Sequence, residues 1–551
     1  MNISLKISAL LLFVISTISC SNNNQVLEAE NSINSKDLEK HIVTLSSDEF
    51  QGRKPFTIGE KRATKYIANA FKEIGLESGY NGSYFQNVPA VELNYTPDKS
   101  VSIQTKNGEL ILEITKDYIA KTPHIKDSIT IKNAEIVFAG YGIVAPEYGW
   151  NDYKDIDVKD KIVLVLVNDP GFATQNESLF RGNAMTYYGR WAYKYEEAAR
   201  QGAKGILVIH STKAAGYGWQ VLTNTSGFGI SVQAKDNNLK KCALEGWITD
   251  AAAKKLFEKS GLNFDEHVKS AENSNFNALS LNCNLKLTIK TALKFQNSKN
   301  VVGIIKGTKR PEECIVYSAH WDHFGIGPVQ NGDSIYNGAM DNGTALAAML
   351  ETAKAFTNLE IKPERSIVFI AVTAEETGFI GSKYYAKNGL FSPEKTIANL
   401  NYELLLPMGK MKDVTITGFG QSELDSYVEA AAKEQDRYII EEPFPENGMY
   451  FRSDHFSFAQ VGIPSLFIKG WQDSREHGKE WAKEQINNYW KTAYHKPADE
   501  YNPETSDLSG IIEDAKLFFK IGYKLANEAN YPNWNEKSEF RSIREKSMQH
   551  N

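Results

Sequence analysis

The sequence predicts an α/β fold, and three observations predict it. Apolar runs of strand length recur in the second half of the chain, in ECIVYSAH, SIVFIAVT and ANLNYELLL. Between the first two lies NGAMDNGTALAAMLETAKAF, whose apolar positions recur at helical spacing. The polar residues fit for chemistry cluster at or just past the ends of these runs, where open α/β sheets hold their active sites. A chain of 551 residues is also too long for one hydrophobic core, so a further domain is expected.

The elements follow in order. Lys6 precedes the apolar run Ile7 to Ile18, and Ser19-Cys20 opens the polar stretch SNNNQ, which reads as a signal peptide over 1–19. This segment resembles a bacterial lipoprotein signal. The resemblance implies lipidation of Cys20, a tether over 20–34, and an exported protein of the bacterial cell envelope that contacts the membrane through its anchor. A non-lipidated secretory signal is the alternative. No other window approaches the roughly 18 apolar residues that span a bilayer.

Residues 35–132 open the main domain. LEKHIVTLSSDEFQGR and GEKRATKYIANAFKEIGLESG carry apolar positions at helical spacing before a glycine stop, and a β-like stretch runs from Val91 to Ile131. Residues 133–270 read as an insert, β-rich with one helix, and contain none of the candidate ligands below. Residues 271–530 carry those candidates, so the main domain is discontinuous, and the polar, charged residues 531–551 read as a loose tail.

Composition excludes some classes. Lys and Arg number 62 against 68 Asp and Glu, a formal charge of −6 that offers no basic stripe for nucleic acid. With Cys20 set aside, Cys242, Cys283 and Cys314 remain; Cys314, inside an apolar run, reads as a buried small hydrophobe, and a Cys242–Cys283 bond is left open. No cysteine spacing suggests a thiolate metal site, and no local motif activates a cysteine nucleophile.

The chemistry starts at Glu375-Glu376, just past SIVFIAVT. Of two adjacent carboxylates, one can bind a metal while the other takes a proton from a water that zinc has acidified to a pKa of about 7. Alone, such a pair is commonly a solvated helix face. The same half of the chain adds further donors: His320 after one apolar run, Asp341 before a helix, Glu403 in another apolar run, and His495 in a polar loop. Asp341 would equally serve as a helix N-cap. Together they are the nitrogen and oxygen donors that zinc accepts. Asp322 is placed to accept the other ring N–H of His320, and Asp499 that of His495. His323 reads as a loop residue, and Arg452, Asp454 and His455 as cleft-lining, substrate-binding candidates or loop braces.

SAHWDHFG, IYNGAMDNGTA, TAEETGFIGSKYY, RSDHFSFAQVGIPSLF and YHKPADEY resemble the motifs of the co-catalytic zinc exopeptidases, which include bacterial leucyl aminopeptidases, aminopeptidase Y and glutamate carboxypeptidase II. The resemblance implies a three-layer α/β fold with a central, mostly parallel mixed sheet, and two zinc ions per chain bridged by Asp341. His320 and Glu403 would complete one metal, Glu376 and His495 the other, with Glu375 as general base. At Glu403 the family carries Asp; Glu is one methylene longer, and its alternative place is outside the donor set. AEIVFAGYGIVAPEYGWNDYKDIDVKDKIVLVLVNDPG and RWAYKYEEAARQGAKGILVIH resemble a protease-associated domain, which implies a lid or wall beside the cleft, or a packing module.

The expected activity is therefore peptide hydrolysis by a hydroxide held between two metals, without a covalent intermediate. An aminopeptidase is the first reading. A carboxypeptidase of the same family is the second, because Arg452 is the only arginine within a catalytic-looking motif. A glutaminyl-cyclase-like transferase or a non-catalytic binding protein on the same scaffold would lack the full ligand set.

Overall fold

The computed structural model describes residues 24–80 and 82–549, so the signal segment and Cys20 lie outside the described residues. Two compact units divide the chain. Of the described residues, one unit holds 24–80, 82–88, Ser298–Glu442 and 453–549, and the other holds Pro89–Asn297 and Pro443–Arg452.

The first unit is α/β. Four strands, Arg365–Val372, Arg310–His320, Thr396–Asn401 and Ser465–Lys469, lie side by side in that order and parallel. Residues 301–305 and Glu77–Ser78 extend the sheet antiparallel beyond Arg365–Val372. Asp413–Ile416, antiparallel, and then Tyr438–Glu441 extend it at the other side. Every residue of Arg365–Val372 is buried, as expected of a parallel strand covered on both faces.

The alternation of side chains along the strands builds two cores. Ile315, Tyr317 and Ala319 face a layer made by helices Ser35–Leu45, Thr344–Asn358 and Ser509–Asn527, where Tyr317 stacks on Phe369 at 4.9 Å and Tyr402 on Phe518 at 3.9 Å. Cys314 and Val316 face the opposite layer, with Tyr385 of helix Ile380–Asn388 and Phe458 of helix His455–Ala459. The result is the three-layer arrangement that the sequence predicts.

From Arg310–His320 the chain moves to one neighbour, Arg365–Val372, and then crosses to the other, Thr396–Asn401. Strand carboxyl ends at such a reversal open a crevice. His320 ends the first strand, Glu375-Glu376 follow the second, and Glu403 follows the third.

The second unit is wider than the 133–270 insert expected from sequence, because pairing there is non-local. Ser100–Thr105 and Ser128–Phe138 both pair with residues 284–290, and residues 90–94 pair with Phe228–Val232. It holds a parallel set, with Ile162–Leu166 between residues 136–138 and Gly205–His210, and Leu244–Thr249 beyond. It is also more helical than expected, with Trp191–Arg200, Trp219–Thr225, Asp250–Lys259 and Phe264–Ser270.

Two further expectations are corrected. Cys242, Cys283 and Cys314 are all buried free thiols, so the Cys242–Cys283 bond is not formed. The stretch after Tyr531 is packed rather than loose: buried Trp534 donates from Nε1 to the Gly462 carbonyl at 2.8 Å, and Arg544 of helix Arg541–Met548 donates to the Pro393 carbonyl at 2.6 Å. One buried indole is enough to anchor an otherwise polar segment.

Candidate metal centre

The structure brings His320, Asp341, Glu375, Glu376, Glu403 and His495 together at the carboxyl ends of the parallel strands. His320 Nδ1 lies 3.0 Å from the Asp322 main-chain oxygen, which fixes the Nδ1–H tautomer and leaves Nε2 as the donor atom. That Nε2 lies 3.3 Å from Asp341 Oδ1 and 3.3 Å from Glu403 Oε1. His495 Nε2 lies 3.3 Å from Asp341 Oδ2 and 3.3 Å from Glu376 Oε2. Each oxygen of Asp341 thus belongs to a different set of three donors.

A hydrogen bond between imidazolium and carboxylate closes to about 2.7–2.9 Å. Donors about 2.0–2.1 Å from a tetrahedral zinc stand about 3.3–3.4 Å from one another. The four contacts at 3.3 Å are long for charge-assisted hydrogen bonds and equal the spacing of donors around a tetrahedral zinc.

Each donor is held by its surroundings. Asp341 is not a helix cap: the helix begins at Thr344 with Gly343 in the capping position, which leaves the Asp341 carboxylate for the site. Glu403 is fixed by a chain of buried polar groups. Ser318 Oγ donates to Asn401 Oδ1 at 2.6 Å, Asn401 Nδ2 to Ser453 Oγ at 2.8 Å, and Ser453 Oγ to Glu403 Oε2 at 2.7 Å. The extra methylene of Glu403 is accommodated by this chain, with Oε1 left facing His320. Ser453, inside FRSDHF, and Asn401 carry this role unnoticed in the sequence, because nothing in their spacing announces a partner so far along the chain.

His323 is more than the loop residue expected. Its Nδ1 lies 2.6 Å from Glu376 Oε1, a hydrogen bond that orients Glu376 so that Oε2 faces His495. His495, with a side chain 35% exposed, is the most accessible donor. It is stacked on Tyr494 at 3.7 Å and met edge-on by Phe324 at 4.6 Å.

Asp322 and Asp499 brace the site differently from the expectation. The Asp322 carboxylate stands 3.9 Å from His320 Nδ1 and instead accepts the Glu375 N–H at 3.1 Å. It therefore clamps the turn that presents Glu375. Asp499 accepts the N–H groups of Met340 and Asp341, at 3.0 and 3.1 Å, and the Tyr489 hydroxyl, so it holds the Asp341 loop rather than His495.

Two of the substrate-binding candidates are corrected as well. Asp454 and His455 are wholly buried and cannot line a cleft; the His455 ring packs 5.3 Å from Phe467. Arg452 belongs to the second unit, where its guanidinium lies 5.8 Å from the Tyr217 ring and donates to the Asn447 carbonyl.

Charge within the donor set is separated by environment. Burial opposes ionisation of Asp341, yet the imidazoles of His320 and His495 hold it well below the usual carboxylate range. Glu376 is likewise held down to about 2 by His495 and His323, against burial and its neighbour Asp341. Glu375 is the opposite case: burial first, then the charges of Glu403, Glu376 and Asp454, push it well above the usual range. Burial would lower His495, but Glu376 and Asp341 raise it to about 10. The site therefore pairs charged carboxylates that favour a cation with one carboxyl group, Glu375, tuned to hold a proton.

Residues 300–518 match the family model described as Peptidase family M28. Rat Aminopeptidase NAALADL1 is 30% identical over 167 residues, which are 29% of this chain and 20% of that protein. Aminopeptidase YwaD of Bacillus subtilis is 34% identical over 248 residues, 40% of this chain and 51% of that protein. The solved aminopeptidase from Aneurinibacillus sp. strain AM-1 aligns along 92% of this chain and 97% of its own, at 20% identity and a TM-score of 0.46. The chain spans about a fifth of the rat relative and about half of the Bacillus one.

Proposed function

We propose that the chain, whose residues 300–518 match the model of peptidase family M28, belongs to that family, that its activity is zinc-dependent exopeptidase cleavage and that the end attacked is the free amino terminus. The observation that carries this is the pair of three-donor sets sharing Asp341, with Glu375 beside them. Two imidazoles and three carboxylates at tetrahedral spacing suit zinc. His320, Asp341 and Glu403 would hold one ion, and Asp341, Glu376 and His495 the second.

When bound, zinc lowers the pKa of water to about 7 and polarises a carbonyl. The chain supplies the rest. Glu375 accepts the proton of the attacking water and returns it to the leaving amine, so its raised proton affinity suits both halves of the task. Asp322 holds the Glu375 main chain in place, while Ser453 and His323 aim Glu403 and Glu376. No side-chain nucleophile is needed.

The aminopeptidase reading is supported by the relatives the chain resembles, rat Aminopeptidase NAALADL1 and Aminopeptidase YwaD of Bacillus subtilis. A carboxypeptidase would need a guanidinium for its substrate carboxylate. The full donor set stands against a cyclase-like or purely binding protein. Release of N-terminal residues from a free peptide, lost on chelation and restored by zinc, tests the reading.

The second unit acts as a protease-associated module, a role that rests on motif resemblance over 133–270 alone. The chain is exported and lipid-anchored through Cys20, supported by the apolar run before it. Cys20→Ser is expected to move the protein from the membrane to the soluble fraction; unchanged membrane retention would contradict the anchor.

A further inference from the structure

Arg53 is buried, 1% exposed, at the end of a tight turn in the QGR segment. Its guanidinium donates only to main-chain carbonyls among the described residues. Nε reaches Trp321 O at 2.8 Å, Nη1 reaches Leu45 O at 2.7 Å and Asn337 O at 2.6 Å, and Nη2 reaches Gly338 O at 2.8 Å. Burying a guanidinium costs several kcal/mol even when it is paired, and carbonyls satisfy its N–H groups without neutralising its charge. Such an expense asks for a reason.

The carbonyl positions give one. Trp321 lies between His320 and Asp322, and Asn337 and Gly338 open the loop that ends at Asp341. One rigid, planar group therefore ties together the two loops that carry donors of both sets. Burial lowers its pKa to about 10, and the charges of Asp499, Asp322, Asp341 and Glu376 act against that, so its nearest counter-charges lie in and around the same two loops.

The backbone is shaped to deliver it. Gln51, Gly52 and Arg53 all have left-handed φ, of 48°, 61° and 49°. For the two non-glycine residues this costs about 1–2 kcal/mol each. At Gly52 a Cβ would stand 2.3 Å from Tyr336 O, so the QGR turn and the segment leading into the Asp341 loop approach more closely than a side chain would allow, and at Gly338 a Cβ would stand 2.3 Å from Asp341 O, so that loop itself is tightly folded.

We infer that Arg53 is a positioning residue of the metal centre: by bridging Trp321, Asn337 and Gly338 it presets the separation of His320 from Asp341, and with it the donor spacing of both sets. The inference rests on reading those sets as a zinc site. A lysine would keep the charge but present one ammonium in place of a fork.

The test compares wild type, Arg53→Lys and Arg53→Gln as purified full-length proteins. Zinc affinity is measured by competition with a chromophoric chelator, and thermal unfolding is followed with and without zinc. The expected result is a 10- to 100-fold loss of zinc affinity in both variants, about the scale for groups that orient ligands, with a smaller zinc-induced rise in Tm. A lowered Tm without zinc, but unchanged zinc affinity and an unchanged zinc-induced rise, would make Arg53 a brace of the core alone and overturn the inference. Gly52→Ala, which keeps the guanidinium but forces it off its carbonyls, is the second variant and should lose zinc affinity in the same way. Failure of every variant to fold would likewise assign the residue to the core. Failure of the wild type to take up zinc would instead overturn the metal-centre reading.

Discussion

Glu375→Gln is expected to lower kcat by about 10²- to 10⁴-fold, the range a positioned general base supplies, while zinc content and Tm stay at the parent values. The separation of effects follows from geometry. Glu375 is not among the groups at 3.3 Å in either donor set, and its place is fixed by its own N–H on Asp322, which glutamine retains. Glutamine has the same shape but accepts no proton, so the loss should fall on kcat with little change in KM. Activity measurement with parallel metal analysis checks it. Turnover within about tenfold of wild type would remove Glu375 from the role of base, because a bystander carboxylate costs little.

Asp341→Asn is expected to cost both metals at once. Zinc binding free energies of about 10–16 kcal/mol spread over four ligands make each ligand worth about 3 kcal/mol, or about 100-fold in affinity. Because each oxygen of Asp341 faces a different histidine, one substitution draws that loss from each set. Asparagine keeps the volume and leaves the Asp341 N–H bonded to Asp499, so the loop should survive. Metal titration should show two weakened sites and kcat near background, whereas loss of one ion with the other unaffected would contradict the shared carboxylate.

The fold was legible where the chemistry sits at element ends. Apolar runs closing on His320, Glu375-Glu376 and Glu403 placed three strands and their common edge, and helical spacing after Asp341 placed the helix that opens beside them. The remainder was hidden because it depends on contacts remote in sequence. That Asp322 serves Glu375, that Asp499 serves the Asp341 loop, and that Ser453 reaches Glu403 are facts of the folded backbone. Asp454 and His455 looked available because polar residues usually are exposed, yet both are buried. The second unit extends beyond residues 133–270 for the same reason: the strands from Pro89 onward find partners as far as residue 290. Arg53 shows the limit most clearly, since a lone arginine after a glycine carries no signal until its carbonyl partners are in place.

The central claim, zinc-dependent removal of residues from a free amino terminus, is tested most directly by mass spectrometry of products from one peptide offered free, N-acetylated or C-amidated, with and without a zinc chelator. The account predicts stepwise N-terminal loss from the free and amidated forms, none from the acetylated form, and no cleavage of any form with the chelator present. Cleavage that survives acetylation but not amidation would make the enzyme a carboxypeptidase, and no cleavage of any form by zinc-loaded protein would contradict the claim outright.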